Sequence, residues 1–253
     1  MVSTRHHPRD FNTTATAAED LAKPSQSPTP SEGGGPVRKW VHTPSTAVTL
    51  WLVLSIPFVL WDSSYVLLRP HSMPGNKLHS PIWTPYALYG TIDYIYGWPA
   101  FNARNGFTTA QTLMNLVETA GYLYYLAVIY ARGTPVVPST GRPQQKTPRK
   151  GLTWLFTDDK VVAGRTGAIA LLVAYSASVM TVSKTALYWL NEACSGFANI
   201  GHNDAFTLIL MWILPNGLWI VFPSYNVYFL GSEILGSLEA AGPRPKVGRP
   251  KQQ

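Results

Sequence analysis

Three carboxylates, a lysine, two amides, a tyrosine and an indole stand inside stretches that are otherwise largely hydrocarbon. Asp62 lies in PFVLWDSSYVLL, Asn115 and Glu118 in MNLVETAGYLYY, Lys184, Tyr188 and Glu192 in SKTALYWLNEA, and Asn216 and Trp219 in PNGLWIVFPS. An acid, a base and an aromatic face suit one chemistry. A carboxyl group protonates an alkene, an indole face stabilises the carbocation through its ring quadrupole, and a carboxylate removes a proton. Such a site must exclude water, as the interior of a bundle in a bilayer does. A second reading needs no catalysis: Glu118 and Lys184 pair with each other, and Asn216 holds helices together.

These residues fall in four apolar blocks, Ala47 to Leu68, Thr108 to Ala131, Thr166 to Ala193 and Ala205 to Leu230. Roughly 20 apolar residues at 1.5 Å rise cross a hydrocarbon core of about 30 Å, so the blocks predict four transmembrane helices and an all-α bundle over residues 47–236. Counted along straight helices, Glu118, Lys184 and Asn216 lie about 15 Å deep, Asp62 about 9 Å and Trp219 about 20 Å. Three helices then offer polar groups at one level. Lys184, Tyr188 and Glu192 recur every four residues and share a helix face.

Outside the blocks the chain is polar. Residues 1–46 contain PSQSPTPSEGGGP and no apolar stretch resembling a signal peptide, which predicts a disordered tail; residues 237–253 form a basic second tail. Lys and Arg number five in the first tail, seven between Arg132 and Arg165 and four in the second, against three in the loop from Arg69 to Phe107. By the positive-inside rule both termini and the 132–165 connection face the cytoplasm. The basic tails have no aromatic interleaving, so attraction to anionic lipid explains them better than nucleic acid. Cys194 is the lone cysteine, which excludes an intramolecular disulfide and a cysteine metal site. His71, His79 and His202 lie outside the spans with no second ligand at helical spacing. Asp93 reads as a loop-ordering acid, Tyr94 and Tyr96 as part of an interfacial aromatic belt.

Several of these stretches resemble the emopamil-binding protein family, whose shared four-helix membrane unit is the EXPERA domain. The resemblance covers about Val48 to Leu235 and rests on Asp62, IWTPYALYGTIDYIYG, VET at 117–119, ALYWLNEACSG and NGLWIVFPS. It implies a lipid pocket between the helices, a cofactor-free double-bond isomerase and residence in the endoplasmic reticulum. Asn216 and Trp219 stand where the family's sterol delta-8/delta-7 isomerases line their pocket, and Glu118 and Asp62 at acidic positions used in that pocket. Asn115, Lys184, Tyr188, Glu192 and Phe58 complete the expected lining.

The chain departs from the pattern at Phe58, where the isomerases have histidine, and at Lys184, which has no counterpart there. Lys184 is either a counter-ion for Glu118 or, once buried, a base; an intramembrane charge usually finds a partner, which favours the counter-ion. The leading expectation is an isomerase or cyclase-like enzyme on a sterol, terpenoid or similar apolar molecule, with Glu118 and Asp62 moving the proton. Its rival is a non-catalytic lipid binder like the family's sigma receptor-type relatives, favoured by Phe58. The expected partners are an apolar small molecule, membrane lipids and, at most, a second copy of the chain. The loop from Arg69 to Phe107 is long enough to act as a lid.

Overall fold

The computed structural model describes residues 40–136, 151–156 and 160–241. The disorder expected of the first tail falls largely on residues 1–39, and most of the second tail on residues 242–253; both lie outside the described residues, as do residues 137–150 of the Pro-rich connection. The chain opens with a short strand β1 (Val41–His42), followed by α1 (Thr46–Leu67), two short helices α2 (Pro85–Ile92) and α3 (Trp98–Asn102), and α4 (Phe107–Arg132). Strands β2 (Thr134–Pro135) and β3 (Lys160–Ala163) precede α5 (Gly164–Cys194), and α6 (Ala205–Ala241) closes the chain.

Three helices, α1, α5 and α6, are long and apolar enough to cross a membrane, with mean hydropathies of 1.6, 1.6 and 1.9. The fourth expected span, α4, has the length at 26 residues but carries Thr108, Thr109, Gln111, Thr112, Asn115, Glu118 and Thr119 in its first half. Only 6% of the most apolar part of α6 is fully buried within the protein, and the rest is half-buried or exposed.

The expected boundaries shift in two places. Residues 40–46, expected in the first tail, are ordered: β1 pairs antiparallel with β3 and β3 with β2, giving a small sheet of order β1-β3-β2. The fourth helix runs eleven residues past Leu230 to Ala241, because its polar end is tied down. Trp40 Nε1 donates to Ser237 Oγ at 2.6 Å, and His42 Nδ1 meets the Glu233 carboxylate at 2.9 Å. The start of α1, the end of α4, the start of α5 and the end of α6 therefore meet at one end of the bundle. All four long helices run between that end and the end bearing α2 and α3.

Small residues let the long helices approach. A Cβ on Gly231 of α6 would lie 3.1 Å from the Tyr175 ring of α5, and one on Gly121 of α4 would lie 3.3 Å from Val173. Around them Val48, Leu52, Tyr122, Tyr125, Ile129, Leu171, Ala174 and Leu230 form the main buried cluster. The segment bearing α2 and α3 folds on a still closer contact: a Cβ on Gly97 would sit 2.2 Å from the Gly90 carbonyl oxygen. Backbone cannot yield as a side chain does. Gly97→Ala is expected to cost about 1–3 kcal/mol, the usual range for overpacking, read as a lowered midpoint of thermal unfolding in lipid nanodiscs.

Inside α6, residues Ile209–Ile213 form a π-helical segment. Pro215 stands two positions past its last residue; proline lacks the N–H that would bond the carbonyl four residues back, at Met211 within the segment, and its ring crowds that carbonyl. A local widening of the helix accommodates both, and such segments are frequent at functional positions. Further along, Pro223 removes the backbone donor that would otherwise bond the Trp219 carbonyl.

Candidate functional site

The intramembrane charges pair. Lys184 Nζ of α5 donates to Glu118 Oε2 of α4 at 2.8 Å, with side-chain exposures of 7% and 4%. Lys184 Nζ also donates to Asn115 Oδ1, one turn before Glu118, and Thr181 Oγ1 donates to Glu118 Oε2 at 2.8 Å. Lys184 and Glu118 are therefore partners across α4 and α5. Glu118 Oε1 is buried and has no hydrogen-bond partner among the described residues.

A cavity adjoins this pair, lined by Glu118, Asn115, Tyr122, Thr181, Trp51 and Trp219 among others, with a volume of about 20 Å³. That is room for about one water. Trp219 meets Trp51 of α1 edge to face at 5.4 Å, and Trp51 stacks on Phe222 at 4.5 Å. Two indoles and a carboxylate with an uncommitted oxygen therefore border one space between α1, α4, α5 and α6. Trp51 was not singled out by sequence, where an indole in the first turns of an apolar helix reads as an interfacial anchor.

The other expected lining residues are elsewhere. Phe58 is 60% exposed on the outer face of α1 and does not reach the cavity. Asn216 is not at the level of the ion pair: its amide donates to the Trp212 carbonyl at 2.8 Å and lies 3.5 Å from the Tyr89 hydroxyl. Lys184, Tyr188 and Glu192 do share the buried face of α5, but each has a separate role. Glu192 is fully buried and accepts from the Asn199 amide at 2.7 Å and the Asn199 backbone N–H at 3.3 Å, which orders the turn between α5 and α6.

Asp62 forms a second acidic position among tyrosines. Tyr86 donates to its Oδ1 at 2.5 Å and the Tyr96 hydroxyl lies 3.5 Å from Oδ2. Tyr65 stacks on Tyr86 with centroids 3.8 Å apart. Burial, followed by the Asp62 carboxylate, pushes the Tyr86 hydroxyl far above the usual phenol range, so it remains a donor. Asp62 does not line the cavity, although it interacts electrostatically with Lys184. Tyr96 belongs to this cluster rather than to a lipid-facing belt, and Tyr94 stacks on His202 at 4.0 Å.

Asp93 is more than a loop residue. It is fully buried and accepts from Tyr188 of α5, from Trp212 Nε1 in the π-helical segment at 2.9 Å, and from the Ile95 backbone N–H at 3.0 Å. Burial raises its carboxyl to about 6, with the three donors partly offsetting that rise. One acid thus fastens the segment after α2 to two long helices. Comparisons with protein-family models, with curated proteins and with solved structures return no match to this chain.

Proposed function

We propose that the chain is a four-span membrane enzyme of the emopamil-binding type that shifts a double bond in a sterol, terpenoid or similar apolar molecule, with the Glu118–Lys184 pair as its acid and base. The observation that carries this reading is Glu118, which has a buried, unbonded carboxylate oxygen and lines the same space as Trp219 and Trp51. Proton transfer from Lys184 to Glu118 along their 2.8 Å bond converts the ion pair to a neutral acid and amine. The acid gives its proton to the alkene carbon. The indole faces stabilise the cation, and the carboxylate then takes the proton from the neighbouring C–H. The hydrogen count is unchanged, as isomerisation requires. Asp62 contributes through its field at Lys184. With room for only about one water in the cavity, a substrate must part α1 from α6, the pair joined there by the Trp51 and Trp219 rings.

The four-span reading is supported by the small sheet and the α6 ties. If α4 did not cross, the start of α1 and the end of α6 would lie on opposite faces of a membrane and could not be hydrogen-bonded. The lysine and arginine distribution then assigns that end to the cytoplasm, and the endoplasmic reticulum is the compartment that the family likeness suggests.

Glu118→Gln is expected to lower turnover at least about 100-fold, the usual contribution of general acid–base catalysis. The measurement compares isomer-resolved mass spectra of lipid extracts from cells lacking the protein, carrying it, or carrying the variant. A product isomer made equally by the variant overturns the role of Glu118. The rival reading, a lipid-binding module, is favoured by how fully Asn115 and Thr181 satisfy the ion pair; unchanged lipid chemistry in all three extracts, with an apolar lipid co-purifying, would establish it.

A further inference from the structure

One inward stripe of α6 reads Trp219, Pro223, Asn226, Leu230 and Glu233, spaced alternately by four and three residues. Asn226 is 1% exposed, and neither its amide nitrogen nor its carbonyl oxygen has a partner among the described residues. A buried amide left this way costs about 1–3 kcal/mol, and so asks for an explanation.

Two hydrogen-bonded groups lie along this stripe. Toward the cavity, Thr181 donates to Glu118, the Tyr122 hydroxyl lies 2.9 Å from Thr181 Oγ1, and Tyr122 reaches Ser178 Oγ at 3.4 Å. Toward the clasped end, Tyr125 meets His42 Nε2 at 2.9 Å, and His42 Nδ1 meets Glu233 at 2.9 Å. Glu233 is 21% exposed and borders an open concavity of about 580 Å³ with Phe229, Ser232 and the strap from Val41 to Ser45. Water reaches this end.

The register places Asn226 level with the first group and about two turns before Glu233 of the second. Gly231 of α6 abuts Tyr175 of α5. These helices are antiparallel, so five residues back along α6 correspond to five forward along α5, about 7.5 Å. Asn226 then stands level with the turn from Ser178 to Thr181, and one turn before Leu230, which shares a buried cluster with Tyr122 and Tyr125.

We propose that Asn226, with a water at its amide, joins these groups into a proton relay between Glu118 and solvent at Glu233. The inference rests on the acid/base role of Glu118 proposed above. Each hydroxyl, imidazole or water takes a proton on one side and releases one on the other, so only hydrogen moves and charge balances at the two carboxylates. An Asn, with both a donor and an acceptor, is suited to hold the water at such a junction.

The test needs no substrate. Protein carrying ¹⁵N-lysine in phosphatidylcholine nanodiscs is moved from H₂O to D₂O, and exchange of the Lys184 ammonium is followed by infrared spectroscopy, its band assigned by loss in Lys184→Met. Because Lys184 is bonded to Glu118, its protons report the path. Asn226→Leu is expected to slow exchange at least tenfold and Asn226→Ser to restore it, while Leu, which removes an unpartnered polar group, leaves the fold intact. Tyr125→Phe breaks the other half and is expected to slow exchange as well, which keeps the test decisive if Asn226→Leu misfolds. Exchange at the native rate in either folded variant overturns the relay. Slowed exchange together with unchanged lipid isomers in Glu118→Gln would leave the relay standing and remove the isomerase.

Discussion

Lys184→Met destabilises the bundle by about 3–5 kcal/mol, the cost of leaving one member of a buried ion pair without its partner. Glu118 would keep Thr181 as a donor but lose the ammonium, at a position only 3% exposed. Asn115 would lose its donor in the same step. The cost measures the stranded charge and not the worth of the pair, so the double variant Glu118→Gln/Lys184→Met is expected to regain most of the loss. Denaturant or SDS titration of the four forms gives the coupling. Additive losses would show that the two side chains do not share charge in the membrane, and the proposed proton transfer would fall with them.

Asp93→Ala carries the second large effect. It strands the Tyr188 hydroxyl, Trp212 Nε1 and the Ile95 N–H, all at buried residues. At about 1.5–3 kcal/mol for each hydrogen bond to a charged group, partly regained through water and rearrangement, a loss of about 4 kcal/mol is expected. The same acid gives the fold a pH dependence of definite sign. Its folded carboxyl titrates near 6, above the usual 3.8, so the folded state holds the proton longer than the unfolded chain. Its contribution is fully present below about pH 4 and lost as pH rises through about 6, amounting to roughly 3 kcal/mol at 1.36 kcal/mol per pH unit. Asp93→Asn removes that slope. Equilibrium unfolding of both proteins between pH 4 and 7 is the check, and parallel curves would refute the assignment.

The long helices were legible because runs of about twenty apolar residues allow little else, and the Glu118–Lys184 pair because charges at that depth need partners. What escaped has identifiable causes. Strands of two to four residues show no alternation long enough to recognise, so β1, β2 and β3 were read as tail and loop. The end of α6 was placed at Leu230, where apolarity fades, but the helix continues because Trp40 and His42 hold Ser237 and Glu233. Asp93 looked like any loop acid; its burial is decided by helices 95 and 119 residues away. Phe58 enters the expected lining only through the resemblance, at the position of the isomerases' histidine, and it faces outward. Local spacing carries no information about which side of α1 meets its neighbours.

The clasp between His42 and Glu233 joins residues 191 positions apart. A ribosome adding about 5–20 residues per second needs roughly 10–40 s to make that interval. Throughout that time β1 has no carboxylate to hold it, and its strand partner β3 joins it only in the later part of the interval. The final turns of α6 therefore complete the molecule in the literal sense: a chain cut short before Glu233 keeps every apolar block yet leaves its leading strap untied. That exposed strap distinguishes unfinished from finished copies, at the end of the bundle where the chain begins.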